Sequence, residues 1–287
     1  MNLNEYDIST TYQATVSRNE RLTPEDAQDE VRHIVLNIAD PSFVFIEGQS
    51  IGVVVPGPHD FGNPYHFRLY SIASTRQGED SNLAEISLCV RRCFYIDDVS
   101  GERHKGVASH YLCDARPGKE ITITGPYGRQ FLVPRDNSAN LLLIGVGTGI
   151  APFRAFIKHI FDERRAWEGK VRLFYGAKTG MELLYMNDLK NDIGQYYQQG
   201  TFKAFEALSP RPAVDAPVAI DRALEDNAEE IWEMIQDPKT YVYLAGLSKI
   251  SKNLDKAMAN IVGSEEGYRH KRREMIEQKR WAELLYD

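Results

Sequence analysis

A glycine-rich turn is the first feature of this sequence that could do chemistry. Residues 145–152 read GVGTGIAP and lie between a continuous apolar stretch and a run of residues with helical spacing. Glycines at such a junction let phosphate oxygens approach the backbone N–H groups of a helix N-terminus, and a proline there costs no hydrogen bond. The turn therefore predicts a site for a dinucleotide phosphate, and a purely structural tight turn is the alternative.

A second candidate site lies upstream, in residues 68–74, which read RLYSIAS. Arg68, Tyr70 and Ser71 offer a guanidinium for a pyrophosphate, a ring that can stack on a flat heterocycle, and a hydroxyl for a ring heteroatom. On spacing alone, an ordinary strand with an exposed arginine is the more common explanation. The weight of this site therefore depends on the motifs around it.

The elements that must position these two sites change in character near residue 137. Before that point, short β-like runs are separated by Gly- and Pro-containing turns, which favours an antiparallel β-barrel. Its strands are predicted at residues 31–38, 50–55, 69–73, 84–90 and 120–124, with a helix near 109–114. After residue 137, buried strands alternate with amphipathic helices, which indicates an α/β doubly wound parallel sheet. Its strands are predicted at 140–145, 171–175, 202–208 and 240–244, and its helices at 153–161, 182–191, 222–235, 249–261 and 265–280.

Composition and charge exclude several classes of protein. The chain has 287 residues, 43% of them apolar and 26% charged, as in ordinary globular proteins. No apolar run reaches the roughly 20 residues that a membrane helix needs. The formal net charge of −7 argues against nucleic acid as a ligand. Seven acidic and two basic residues stand in positions 1–30, so most of this acidity belongs to one end, and a basic docking face elsewhere remains compatible with it.

The N-terminus and the cysteines add two expectations. Residues 1–13 contain no basic segment followed by an apolar one, and they are acidic where transit peptides are acid-poor, so a cytoplasmic location is expected. Cys89, Cys93 and Cys113 form no CxxC pair and have no histidine cluster beside them. We therefore expect free, buried thiols and no metal or iron–sulfur site in this chain.

Taken together, the motifs reveal a family resemblance. In order along the chain occur EGQSIGV (47–53), RLYSIAS (68–74), SLCVRR (87–92), GVASHYLCD (106–114), PGKEITITGPYG (117–128), GTGIAPFRAF (147–156), YVYLAGL (241–247) and an aromatic, Tyr286. This series resembles the plant-type ferredoxin–NADP reductases from about residue 12 onward. The resemblance implies an FAD-binding β-barrel domain over 1–137, with 1–30 as an acidic N-terminal segment, and an NAD(P)-binding α/β domain over 138–287.

The resemblance also implies an activity and an FAD site. The expected enzyme is a ferredoxin–NAD(P) reductase, in which a hydride passes between nicotinamide C4 and flavin N5 and electrons are exchanged singly with an iron–sulfur protein. Tyr70 would stack on the isoalloxazine, Ser71 would lie near N5, and Tyr286 would cover the other flavin face until nicotinamide displaces it. The further FAD candidates are Arg68, Leu69, Cys89, Val90, Arg91, Tyr95, Val107, Ala108, Ser109 and Thr148.

The nicotinamide nucleotide has its own implied residues, and here the chain departs from the family. The NAD(P) candidates are Arg91, Thr148, Gly149, Ala177, Lys178, Ser209, Arg211, Gly246 and Leu247. Ala245 replaces the family's cysteine beside the nicotinamide, and Leu284 stands where the family has a C-terminal glutamate. The nearest acid is Glu283, so the catalytic candidates are Ser71, Glu283 and Tyr286; without Glu283 the serine–glutamate relay is incomplete. One extra residue, Asp287, follows Tyr286.

Nucleotide choice and the electron partner are further expectations. Ser209 and Arg211, with Arg222 nearby, are fewer donors than the family uses for the adenosine 2′-phosphate, which predicts a weakened NADPH preference with use of NADH. Asn63 and His66 replace lysines of the plant enzymes. A basic rim for ferredoxin is expected at Arg91, Arg92, Arg103, Lys105 and 271–273, the last of these being equally consistent with a solvated helix face. The alternative functions are the reductase component of an oxygenase and a flavin-binding electron-transfer subunit of a larger complex.

Overall fold

The fold is described from a computed structural model of the chain, over residues 3–59, 62–97, 100–210, 212 and 218–286. Contacts within the chain divide it into two compact units, Met1–Arg129 and Gln130–Asp287. The assignment of a cofactor to each side of residue 137 stays a prediction. In the part of the chain that the structure describes, no helix is long and apolar enough to cross a membrane.

The first unit is built around one antiparallel sheet. Its six strands are β1 (Thr11–Arg21), β2 (Val31–Asn37), β3 (Ser50–Pro56), β4 (Tyr65–Ser71), β5 (Glu85–Arg91) and β8 (Glu120–Tyr127). They lie in the order β4-β3-β8-β1-β2-β5, and a bridge between Ile72 and Leu88 brings the two outer strands together. A separate hairpin, β6 (Phe94–Ile96) with β7 (Arg103–Lys105), precedes helix α1 (Val107–Cys113). The predicted antiparallel barrel is confirmed.

The core of this unit follows from the alternation of side chains along each strand. Successive residues of a strand point to opposite faces, so every second residue enters the barrel. Ile34 and Leu36 of β2 and Ile121 and Ile123 of β8 are almost fully buried and belong to one cluster. Strand β1, one of the strands that sequence patterning missed, buries fully only Ala14 and Val16 over its eleven residues, so its apolar signal is weak.

Helix α1 is held by a side chain of this strand. The Asn19 amide of β1 donates hydrogen bonds to the carbonyl oxygens of Leu112 (3.1 Å), Cys113 (3.3 Å) and Ala115 (2.7 Å), where α1 ends. The last carbonyl groups of a helix have no partner within the helix. The Leu112 carbonyl also accepts from the Ala115 N–H at 3.2 Å, so the amide matters most for the carbonyl groups of Cys113 and Ala115. Asn19 therefore fixes the position of α1, whose first residues are among the predicted cofactor contacts.

The second unit contains a parallel sheet. Its strands are β9 (Asn140–Val146), β10 (Val171–Ala177), β11 (Phe202–Leu208), β12 (Thr240–Leu247) and β13 (Trp281–Tyr286), in the order β11-β10-β9-β12-β13. Its helices are α2 (Ile150–Lys158), α3 (Ile220–Glu225), α4 (Ala228–Gln236), α5 (Ser251–Val262) and α6 (Glu265–Glu277). A π-helical segment, His159–Arg164, continues α2. The predicted doubly wound sheet is confirmed.

Both faces of the parallel sheet are covered, which explains the continuous apolar run of β9. Leu142 and Ile144 face a core formed with α3 to α6. On the opposite face, Phe131 contacts the rings of Phe153, Phe156 and Tyr243. A strand buried on both faces carries apolar residues at every position, as the LLLIG segment does.

Three predictions about elements of this unit were wrong. Residues 182–191 form turns and not a helix, because the Asn187 side chain accepts hydrogen bonds from the backbone N–H groups of Leu189 and Lys190. The predicted helix at 222–235 is broken into α3 and α4 at residues 226–227. The helix predicted to reach residue 280 ends at Glu277, and β13 follows it.

We expect Asn19→Ala to destabilise the first unit. The change leaves the carbonyl groups at the end of α1 without their donor, which costs about 1–3 kcal/mol of unfolding free energy. Urea denaturation followed by circular dichroism measures the loss. The matched control is Gln13→Ala, which removes an exposed side chain of the same strand whose one hydrogen-bond partner in the described part of the chain is Thr122, at 3.2 Å. Equal midpoints for the two variants would contradict a capping role for Asn19.

Candidate functional site

The order of the parallel strands marks where a ligand can enter the second unit. From β9 the chain adds β10 and β11 on one side, then crosses over and adds β12 and β13 on the other. In open α/β sheets the carboxyl ends of the two strands at such a reversal diverge and leave a crevice. The crevice in this chain lies between the ends of β9 and β12, and the glycine-rich turn begins there.

Glycine is required in this turn because the backbone passes very close to β12. A Cβ atom added to Gly149 would lie 2.2 Å from the carbonyl oxygen of Ala245, and one added to Gly246 would lie 2.8 Å from that of Val146. Gly147 and Gly246 also adopt positive φ angles, +54° and +137°. Nothing lies within 4 Å of a Cβ added to Gly147, so that residue faces open space. The turn is thus packed on one side and open on the side where a phosphate would approach.

Two hydroxyl groups meet at this turn. The Thr148 side chain and the Tyr286 phenol, at the end of β13, form a short hydrogen bond. The buried Tyr175 of β10 donates its own hydroxyl to the carbonyl oxygen of Gly147 at 2.8 Å, which supports the turn from the other side. Tyr286 is 39% exposed, so its ring is available to another flat group.

The remaining described NAD(P) candidates of this unit lie at the same edge of the sheet. Ala177 ends β10 and Lys178 follows it, while the buried Ser209 follows β11 and donates its backbone N–H to the Ala177 carbonyl at 3.2 Å. Gly246 and Leu247 end β12, where Leu247 is opposite Tyr286 in the ladder. Arg211 and Asp287 lie outside the described residues.

Glu283 is placed differently from the other catalytic candidate of this unit. Its carboxylate accepts hydrogen bonds from Arg272 at 2.5 Å and from the Trp281 indole at 2.6 Å. Positions 283 and 286 of a strand point to opposite faces, whereas Leu284 shares a face with Tyr286. The structure therefore does not bring Glu283 to the Thr148–Tyr286 pair.

In the first unit, the candidate triad lies at the end of β4. Arg68 is exposed, and its guanidinium donates to the Phe67 carbonyl at 2.8 Å. Tyr70 is half-buried against the barrel core, and burial raises the pKa of its phenol well above the usual range. Ser71 is also half-buried and is opposite Ser50 of β3. A cation, a neutral ring and a hydroxyl thus occupy one short stretch of β4.

The strand β5 supplies the next candidates, among them the first of the three cysteines. Cys89 and Val90 are buried, whereas Arg91 is half-buried and pairs with Asp29 at 3.6 Å. Burial raises the pKa of the Cys113 thiol to about 12, so that group stays protonated at physiological pH. All three cysteines are free, but Cys93 is only half-buried, which differs from the expectation of three buried thiols.

A small aromatic surface surrounds the start of α1. The exposed Tyr95 ring stacks on His104 across the β6–β7 hairpin, with centroids 5.2 Å apart and planes 21° apart. Arg103 lies 3.8 Å above the ring of Phe94. Sequence reasoning selected Tyr95 but missed its partner His104 and the neighbouring Phe94. A three-residue strand of FYI was the only signal that could have revealed this surface.

The first residues of α1 combine with this hairpin. Val107 is half-buried and Ala108 is buried, and the backbone N–H groups of a helix's first turn have no partner within the helix. The Ser109 hydroxyl donates to the Gly106 carbonyl and accepts from the Cys93 N–H, both at 3.1 Å. A Cβ atom added to Gly106 would lie 2.8 Å from that hydroxyl oxygen and 3.1 Å from the Cys93 carbonyl oxygen, so a larger residue here would displace the Ser109 side chain.

The predicted basic rim is largely compensated by acids. Arg92 pairs with Glu30 and Asp114, each at 2.8 Å, and Lys271 pairs with Glu274 at 3.0 Å. His66 stands where the plant enzymes carry a lysine. Its pKa is lowered to about 4 by burial, and also by the nearby Arg68 and His59. The His66 imidazole is therefore neutral at physiological pH and supplies no charge to the rim.

Comparisons with known proteins agree with this arrangement. The Oxidoreductase NAD-binding domain family matches residues 143–256. The chain is 35% identical to the ferredoxin–NADP reductase of Synechocystis over 99% of its length and 70% of that protein. It is 33% identical to the ferredoxin–NADP reductase of Spirulina over 99% of this chain and 98% of that protein. It is 34% identical to the chloroplastic ferredoxin–NADP reductase of spinach over 92% of this chain and 72% of that protein.

Solved structures extend the likeness to the fold. Ferredoxin–NADP+ reductase from Plasmodium falciparum superimposes with a TM-score of 0.74 at 19% identity and covers 98% of both chains. A mutant of that protein in complex with 2′P-AMP superimposes equally well, with a TM-score of 0.74 over 99% of this chain and 98% of that one. At this level of identity the comparison concerns the fold alone.

We expect Gly149→Ala to disrupt the second unit at the glycine-rich turn. The added methyl group would lie 2.2 Å from the Ala245 carbonyl oxygen, and relieving that overlap costs about 1–3 kcal/mol. Thermal unfolding measures the loss. Gly180→Ala is the matched control, because a Cβ atom there meets nothing within 4 Å. A melting temperature for Gly149→Ala equal to that of the control would show that the turn is not closely packed on β12.

Proposed function

The chain belongs to the ferredoxin–NADP reductase family, and we propose that it transfers electrons between NADP(H) and ferredoxin as a flavin enzyme with FAD as cofactor. The observation that carries this proposal is the match over both units, with 33% identity along 98% of the Spirulina enzyme. The positions of Thr148 and Tyr286 at the crevice of the parallel sheet support it, because a ring at that place can control access to a second flat ring.

The side chains of the first unit fit FAD. The exposed Arg68 guanidinium suits a pyrophosphate, the Tyr70 ring suits an isoalloxazine face, and the open N–H groups of α1 suit a further phosphate oxygen. Tyr95 offers a stacking surface for adenine. FAD, when bound, takes up a hydride as an electron pair and releases electrons singly. We propose Leu69, Cys89, Val90, Arg91, Val107, Ala108, Ser109 and Thr148 as the remaining contacts.

The carboxyl edge of the parallel sheet fits the nicotinamide nucleotide. Thr148 and Gly149 would bind the phosphates at the start of α2, and Lys178 adds a cation at the end of β10. The Tyr286 ring would exclude water from the flavin until nicotinamide takes its place. We propose Arg91, Ala177, Ser209, Arg211, Gly246 and Leu247 as further contacts, of which Arg211 lies outside the described residues.

Proton transfer depends on Ser71 in this proposal. Its half-buried hydroxyl can donate a hydrogen bond to a ring nitrogen beside Tyr70. Glu283 is directed to Arg272 instead, and Leu284 on the face of Tyr286 has no proton to give. We therefore propose that the chain lacks the carboxylate of the family's serine–glutamate relay, and that Ser71 acts without one.

The proposal is tested on the purified chain. Its absorbance spectrum should show bound flavin, NADPH should bleach that spectrum anaerobically, and the reduced protein should then reduce a plant-type ferredoxin. Flavin that NADPH or NADH does not reduce in the isolated chain would instead favour an electron-transfer subunit of a larger complex. We propose a cytoplasmic location, whereas the rice and spinach relatives are chloroplastic by name.

We expect a weak preference for NADPH. Each missing charge-assisted hydrogen bond to the 2′-phosphate removes about 1.5–3 kcal/mol, so kcat/KM for NADPH should exceed that for NADH by less than about a thousandfold. Steady-state kinetics with both nucleotides give the ratio. Ser209→Ala should lower kcat/KM for NADPH and leave that for NADH unchanged. A larger ratio in the unaltered enzyme would contradict the expectation.

We expect His66→Lys to improve the reaction with an acidic ferredoxin. At pH 7 His66 is neutral, so the substitution adds a full charge where the plant enzymes carry lysine. At low ionic strength kcat/KM for ferredoxin should rise about two- to tenfold, and the gain should vanish near 0.5 M salt. Gln13→Lys adds the same charge on β1 as a control. An equal gain in both variants would exclude a local docking effect.

A further inference from the structure

The terminal strand β13 has two different faces. It is the outer strand of the parallel sheet and pairs with β12 on one side. Trp281 and Leu285 point to the core under α5 and α6, and Glu283 lies between them on that face. Tyr286 projects from the opposite face and bonds to Thr148. The residue proposed to shield the flavin thus ends a strand that is anchored from its other side.

The anchor is a connected group of polar side chains. Arg272 of α6 donates to Glu283 at 2.5 Å and lies 3.6 Å from the carboxylate of Asp255 on α5. The Tyr268 hydroxyl donates to Asp255 at 2.8 Å, and the Trp281 indole donates to Glu283 at 2.6 Å. Two helices and the terminal strand are therefore joined through one guanidinium. We call Arg272 and Glu283 the β13 clamp.

Burial makes this clamp sensitive to the loss of either member. Trp281 and Tyr268 are 6% and 4% exposed, and the guanidinium lies 5.6 Å from the centroid of the Trp281 ring. Burial is the largest single influence and lowers the pKa of Arg272, but the hydrogen bond to Glu283 and the nearby groups of Tyr268, Glu283 and Asp255 together raise it. Among the described residues, Arg272 Nε has no hydrogen-bond partner. Removing Glu283 would leave a half-buried cation with Asp255 as its nearest described counter-charge.

We propose that the β13 clamp holds Tyr286 over its site, so that Glu283 is a positioning residue and not a proton donor. This inference rests on the proposed function, in which Tyr286 occupies the place that nicotinamide must take. Two residues lie between Glu283 and Tyr286, and beyond the clamp the strand end is held by its ladder to β12 and by Thr148. A loosened clamp would let the ring leave its site more often.

The kinetic consequence follows from competition. When the binding-competent state is populated only in part, the apparent dissociation constant is the intrinsic one divided by that fraction. A clamp that holds Tyr286 in place therefore raises the KM for NADPH and NADH together. It also helps the ring to displace the product nicotinamide, so a weakened clamp lowers KM and lowers kcat as well. A general loss of packing would instead raise KM.

The test compares four variant holoenzymes with the unaltered chain and with Tyr286→Ser, all of them loaded with FAD. Glu283→Gln and Arg272→Met are each made in the unaltered chain and in Tyr286→Ser. In the unaltered chain we expect each to lower KM for NADPH about three- to tenfold and to lower kcat. In Tyr286→Ser neither should change KM further, because the residue through which they act is gone. Arg269→Met is the control, since Arg269 of α6 has the exposed Glu265, at 2.8 Å, as its one ion-pair partner among the described residues.

Each outcome is decisive. A KM that does not fall, or one that changes equally in the Tyr286→Ser background, would overturn the clamp. Should a single variant not retain flavin, the paired variant Arg272→Met with Glu283→Leu replaces both charges by apolar groups, and the same criteria apply to it. If Tyr286→Ser alone leaves KM and kcat unchanged, the proposed role of Tyr286 fails, which is distinguishable from failure of the clamp.

Discussion

The close approach of the glycine-rich turn to β12 is the constraint on which the second unit depends. At Gly149 the backbone of the turn passes so near the Ala245 carbonyl that no side chain fits between them. This contact fixes the start of α2, the exposed conformation of Gly147 and the position of Thr148. Thr148 in turn meets the residue that ends the chain's last strand. The proposed phosphate site and the proposed aromatic shield therefore both depend on one backbone contact at the reversal of strand order.

Most of this architecture could be predicted because buried strands leave strong patterns. A strand covered on both faces, such as β9, has no polar position, and the barrel strands show their inward residues at every second place. The elements that were not predicted depend on interactions that leave a weaker pattern in the sequence. The turns at 182–191 arise because one side chain, Asn187, replaces helical hydrogen bonds, and the apolar residues around it still repeat at nearly helical spacing. The strand β13 exists because β12 offers a free edge, which is a property of the sheet and not of the segment.

In the candidate site, too, some residues could be selected from the sequence and the placement of others could not. Motifs identified the residues of the glycine-rich turn and of β4, since spacing along one segment survives folding unchanged. The position of Glu283 could not be predicted while residues up to 280 were assigned to a helix, because the face on which a side chain lies depends on the type of element. Its partner Arg272 lies eleven positions away, and no spacing rule connects the end of a helix to a strand that follows it. The neutral His66 depends in the same way on burial beside Arg68.

The β6–β7 hairpin has a consequence for handling the protein. Two strands of three residues are marginal by themselves, and this pair exposes Phe94, Tyr95 and Ile96 at 42%, 51% and 67%. Exposed apolar side chains in a short hairpin promote self-association, and a marginal hairpin is open to proteolytic cleavage, unless a bound aromatic group covers these side chains. Flavin loading would then act as a folding ligand for this corner of the barrel. The storage stability of a preparation and the site of its first proteolytic cleavage would then indicate how much of the protein carries the cofactor.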